Sequence, residues 1–106
     1  MKWIALKNIS DLDQIKQDSQ YNTQFIFKHS TRCSISKMVM NRFESTFNTS
    51  SISVYLLDLL KYRDLSNKIS FDFLVKHESP QLLVIKDKIC NLNLSHSNIN
   101  QFNILD

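Results

Sequence analysis

No glycine occurs among the 106 residues of the chain, and the only proline is Pro80. Glycine is the residue that takes positive φ without a steric penalty. Its absence hands such positions to Asn, Ser and Asp, whose short side chains tolerate them best. Cysteine is scarce too, with Cys33 and Cys90 alone. Two thiols make no disulfide framework, and in a reducing compartment such residues are catalytic or buried more often than bridged. His29, His77 and His96 are scattered and lack metal-ligand spacing, so no zinc site is expected. Long apolar runs are missing. The best candidate, 52–60, is broken by Ser53 and Asp58, which excludes a membrane-spanning helix. The apolar start, 3–6, is too short for a signal peptide, so the expected address is the cytoplasm. A strong charge bias is also absent. The net charge is +3, with no basic stripe interleaved with aromatics, so neither a nucleic acid nor a membrane is an expected partner.

What remains is ordinary for one soluble domain over 1–106. Apolar residues make up 42% and charged residues 22%, enough for a modest single core. Ser10 followed by Asp13 predicts a helix N-cap, with the helix running to about 19 and Leu12 and Ile15 facing inward. A strand is predicted over 24–28 and a helix from Cys33 to about 48, with Ile35, Met38, Val39, Phe43 and Phe47 at helical spacing. A second strand is predicted over 52–58 and a helix over 62–73, carrying Tyr62, Leu65, Ile69, Phe71 and Phe73. Past the turn at 77–80, strands over 81–85 and 88–92 form a hairpin across Lys86-Asp87. Ser95 or Ser97 caps a last helix with Ile99, Phe102 and Leu105 inward. The order α–β–α–β–α–β–β–α is that of an α/β, thioredoxin-like fold. Its sheet is expected to be central, mixed and four-stranded, flanked by helices.

Cys33 stands at the joint between the first predicted strand and the helix that follows. That is the carboxyl end of a central strand, where open α/β sheets place their ligands. Helix N-termini favour negative charge, and the thiolate is the reactive form of cysteine. Lys28, His29, Arg32 and Lys37 bring positive or potentially positive charge to the same stretch, although a solvated rim is the better reading for Lys28 and Lys37 individually, and Arg32, adjacent to the thiol, is the best candidate. Position alone fits either a nucleophile or a structural cysteine at a helix start.

The stretch Phe27-Lys28-His29-Ser30-Thr31-Arg32-Cys33-Ser34-Ile35-Ser36 resembles the active-site segment of the monothiol bacilliredoxins, the YtxJ-like proteins of the bacillithiol system. Val75-Lys76-His77-Glu78-Ser79-Pro80-Gln81 resembles their second landmark, a His-Glu-Ser-Pro-Gln turn with a cis-proline. Arg63-Asp64-Leu65-Ser66-Asn67 and Ser95-His96 match two further short stretches in order. Three features depart from the family form. Ser34 stands where proline is usual, the last hairpin lacks its glycine, and Ser97 replaces a common tryptophan. Losing a proline that pre-sets φ at the first helical position loosens that turn slightly.

The resemblance implies a monothiol thiol–disulfide oxidoreductase. Cys33 and Ser36 form C-x-x-S, so a hydroxyl stands where a dithiol enzyme has its resolving cysteine. A hydroxyl can donate a hydrogen bond to the thiolate but cannot close a disulfide, so the work must run through mixed disulfides with an external thiol. The family implies that this thiol is bacillithiol, a carboxylate-bearing cysteine conjugate that serves as co-substrate, with no resident cofactor. The expected partners are bacillithiolated proteins and the free thiol, with the enzyme acting as a monomer. Thr31, Arg32, Ser34 and Ser36 would support Cys33. His77, Ser79, Pro80 and Lys37 would meet the substrate, with Ser79 pairing through its backbone. Cys90 alternates with Leu92 and Leu94 and is expected on one buried strand face. Two other readings stay open: a monothiol glutaredoxin-like iron–sulfur carrier, and a non-catalytic redox sensor in which the thiol is a mark.

Overall fold

The computed structural model describes residues 1–103. Five strands, β1 (Lys2–Ala5), β2 (Gln24–His29), β3 (Ser53–Asp58), β4 (Gln81–Lys86) and β5 (Ile89–Ser95), form one sheet in the order β1-β3-β2-β4-β5. The first three run parallel, and β4 and β5 are antiparallel additions. Helices α1 (Ile9–Asp18) and α3 (Arg63–Phe73) cover one face. Helix α2 (Ser34–Thr46) and a closing 3-10 turn, His96–Gln101, cover the other. The fifth strand is β1, where the sequence predicts only four. It has four residues, two of them exposed, and its partner in β3 lies about fifty residues away, so no local pattern marks it.

Burial on both faces explains the unbroken apolar character of β2, in which Phe25 through His29 are all buried. Ile26 packs with Leu12, Ile15, Leu65 and Ile69 on the α1/α3 side. Phe25 and Phe27 pack with Val39, Phe43 and Phe47 on the α2 side, where Trp3 adds an edge-on contact 5.6 Å from the Phe27 ring. The inner face of α2 is narrower than predicted. Ile35 and Met38 are 57% and 52% exposed, because the helix turns Ser36, Val39 and Phe43 inward instead. Phe71 of α3 is likewise 80% exposed.

Several boundaries shift for identifiable reasons. Asn8, not Ser10, caps α1, since its side chain accepts the Asp11 N–H at 2.9 Å. The hairpin turn is Asp87-Lys88, both with positive φ, which is one residue later than predicted. Ser19 supports it, its carbonyl accepting the Asp87 N–H and its hydroxyl the Lys88 N–H. Positive φ falls on Leu74, Asp87, Lys88 and His96, so the expected Asn, Ser and Asp supply only one of the four. The closing helix is 3-10, with Ile99 inward; Leu105 lies outside the described residues.

Candidate active site

The end of β2 and the start of α2 set the geometry. The Cys33 N–H donates to the Ser30 carbonyl at 3.2 Å, closing a tight turn over Thr31 and Arg32. Cys33 is the N-cap residue of α2, with extended φ and ψ, and its carbonyl accepts the Lys37 N–H at 3.1 Å. No side chain caps the first N–H groups of this helix. Cys33 itself is a free thiol, half-buried. Thr31, Arg32, Ser34 and Lys37 surround it, all exposed.

Ser36 lies behind this turn, fully buried. Its hydroxyl accepts the Ser30 N–H at 3.1 Å and sits 2.7 Å from His29 Nδ1. It makes no hydrogen bond to Cys33 among the described residues, so the expected donation to a thiolate is not seen. Ser36 instead fastens the strand end to the helix. His29 is no cationic neighbour either. It is 7% exposed, and burial, the largest influence, pushes its pKa down, with Lys37 acting the same way and Asp58 opposing. Burial therefore favours the neutral ring, which is part of the scaffold.

Lys28 departs furthest from expectation. In a strand buried on both faces its side chain enters the α1/α3 layer, and it has no exposed surface. Nζ donates to the Ser66 carbonyl and to Ser70 Oγ, both at 3.0 Å, and lies 3.4 Å from His77 Nδ1. Desolvation pulls its pKa down to about 8. It is neither rim nor steering charge. Sequence alone missed it because alternation cannot assign a polar residue to either face when both faces are covered.

The second landmark comes alongside. Lys28 pairs with Gln81 in the antiparallel register of β2 and β4, and continuing that register brings Pro80 and Ser79 beside His29 and Ser30. The Ser79–Pro80 peptide bond is cis. The Pro80 carbonyl accepts the His96 N–H at 2.9 Å. The Ser79 backbone N–H and carbonyl make no hydrogen bond among the described residues, and Ser79 Oγ is buried without a partner. His77 is exposed but turns Nδ1 inward, 3.4 Å from both Lys28 Nζ and Ser66 Oγ. Burial foremost, then Lys28 and Arg63, push its pKa down, against Glu78. Thus Cys33, Ser79 and Pro80 share one end of the sheet, while Lys37 opens an adjoining groove. That groove runs along α2 past Met38, Asn41 and Arg42 to Asn100, with a volume of about 660 Å³ and no carboxylate in its lining.

A family model described as monothiol bacilliredoxin BrxC matches residues 4–104. The chain belongs to the monothiol bacilliredoxin family. A solved protein with a thioredoxin fold, described as a candidate oxidoreductase, is 31% identical, with a TM-score of 0.83 over 92% of this chain and 86% of its own. Thioredoxins from Fasciola hepatica and Schistosoma mansoni superpose with TM-scores of 0.74 and 0.75 at 15% and 17% identity. They cover 95% and 94% of this chain, and 91% and 88% of their own lengths. At that identity they speak for the fold alone. Family and fold together give this bacilliredoxin a thiol redox role. No helix among the described residues is long and apolar enough to cross a membrane.

Cys90 lies far from this site. A β-bulge between Val84 and Ile85 shifts the register of β5, so Ile85 pairs with Cys90 while Val84 pairs with Leu92. The bulge puts Cys90 against the α1/α3 core and Leu94 against the α2 core, on opposite faces and not on one as expected.

Proposed function

We propose that this bacilliredoxin removes bacillithiol from protein mixed disulfides through Cys33, in the cytoplasm. The Cys33 thiolate attacks the bacillithiol sulfur of the mixed disulfide. The old S–S bond breaks, the client leaves as a thiolate that takes up a proton, and Cys33 carries the small thiol. A second low-molecular-weight thiol then attacks that same sulfur, frees the Cys33 thiolate and departs as a disulfide with bacillithiol. No net oxidation occurs in either step.

The observation that carries this reading is the pairing of a free, half-exposed Cys33 with a buried hydroxyl at Ser36, where a resolving thiol would otherwise be. Two features support it. The open backbone of Ser79 offers a client strand a donor and an acceptor beside the nucleophile's turn. The α2 groove, with Lys37 and Arg42 and no acidic side chain, suits a thiol that bears carboxylates. The test is intact mass spectrometry of the enzyme mixed with a bacillithiolated client. Bacillithiol should leave the client and appear on Cys33. Transfer that survives Cys33→Ser, or an adduct on Cys90, would overturn the proposal.

A further inference from the structure

Lys28 is the only fully buried lysine of the described residues, and no carboxylate pairs with it. An uncompensated buried charge is costly, and a methionine would fill similar space more cheaply. The ammonium is held by three separate stretches of sequence: β2 supplies Lys28, α3 supplies Ser66 and Ser70, and the segment before Pro80 supplies His77. An ammonium has three N–H donors and no lone pair. Here it meets three acceptors, the Ser66 carbonyl, Ser70 Oγ and His77 Nδ1. With the lysine charged, His77 Nδ1 must accept, so the ring proton sits on Nε2. The downward push on the His77 pKa from burial, Lys28 and Arg63 acts in the same direction.

The backbone doubles this link. Lys28 pairs with Gln81, and the Gln81 side chain donates to the Lys76 carbonyl at 3.0 Å. The loop 76–80 is therefore fastened to β2 at both of its ends. We propose that Lys28 is a positioning residue, which holds His77 as a neutral imidazole with its proton on Nε2 and so presents an N–H donor to substrate beside the Ser79–Pro80 turn. What the donor serves rests on the thiol-transfer reading above; the tautomer does not.

Two arms test this. Nitrogen-15 NMR of His77 at pH 7 should show a neutral ring protonated on Nε2, and Lys28→Met should yield a tautomer mixture that protonates at higher pH. With a bacillithiolated client, Lys28→Met and His77→Ala should each raise KM about tenfold and change kcat less than twofold, the loss of one hydrogen bond in binding. Lys28→Met combined with His77→Ala should be no worse than His77→Ala alone. His77→Gln, which keeps an amide N–H near the place of Nε2, should recover part of the loss. The melting temperature of Lys28→Met should hold or rise. A wild-type His77 protonated on Nδ1, additive effects of the two variants, or a Lys28→Met protein that melts early with unchanged KM would each overturn the proposal. If the wild type turns over no bacillithiolated client, the functional reading falls, and the NMR arm still decides the tautomer without it.

Discussion

Cys33 lies just past the carboxyl end of β2, while Cys90, two strands over on β5, is level with the amino end of β2. Cys90 pairs with Ile85, Ile85 pairs with Gln24, and five steps along β2 then lead from Gln24 to His29, about 16 Å at strand spacing. The two surroundings differ as much as the positions. Cys33 stands at an uncapped helix start among exposed polar and basic residues. Cys90 stands on an edge strand, its Sγ 3.3 Å from the Leu92 carbonyl. Burial pushes its thiol pKa up, against hydrogen bonds to the Val84 and Leu92 backbone. The candidate chemistry gathers at one end of the sheet, away from the hairpin turn.

The contrast would break first in turnover. Cys33→Ser should lower the rate of bacillithiol transfer by about three orders of magnitude or more, and Cys90→Ser should leave it unchanged. Equal losses in the two variants would erase the distinction. Limiting iodoacetamide at neutral pH should label Cys33 about tenfold faster than Cys90, as read by peptide mapping, because burial keeps the Cys90 thiol protonated. Mild oxidation should give Cys33 mixed disulfides or a Cys33-linked dimer. A two-dalton mass loss in the monomer is not expected, since a bridge needs Cα atoms within about 7 Å.

Smaller effects sharpen the same contrast through stability. Lys28 has a folded pKa of about 8 against an ordinary 10.5, so between those values the unfolded chain binds the extra proton. Unfolding free energy should therefore rise with pH over that window, by on the order of 1–3 kcal/mol, and Lys28→Met should flatten the rise. Urea melts of both proteins from pH 7 to 10.5 check this; a parallel pH profile in the variant would reassign the effect. At the hairpin end, Lys88 holds φ at 64° without being glycine. Lys88→Gly should stabilise by about 1 kcal/mol and leave turnover untouched.

The Cys33 end was the more legible one. The apolar run before Cys33, the helical spacing after it and the turn around Pro80 are local signals, and each lands on the element it predicts. What escaped was set by long-range pairing or by register. β1 is a strand only because β3 lies beside it. The burial of Lys28 depends on α3 packing over β2, and no pattern within five residues reports that. The face of Cys90 is decided by one unpaired residue in β5. The absence of glycine is plain in the sequence, but which residues bear the positive φ is not, since Leu74 and Lys88 are poor choices by local preference alone.

The open backbone at Ser79 has a consequence for the range of clients. The neighbouring Pro80 carbonyl is already taken by His96, while the Ser79 N–H and carbonyl have no partner among the described residues. Every polypeptide carries the matching pair, whatever its side chains. A partner held there is read as main chain, without regard to spelling, and its modified cysteine is the only word that counts. On the proposed reading, breadth is then built into the turn: it would suit an enzyme that repairs many unrelated proteins, each for a moment, and keeps none.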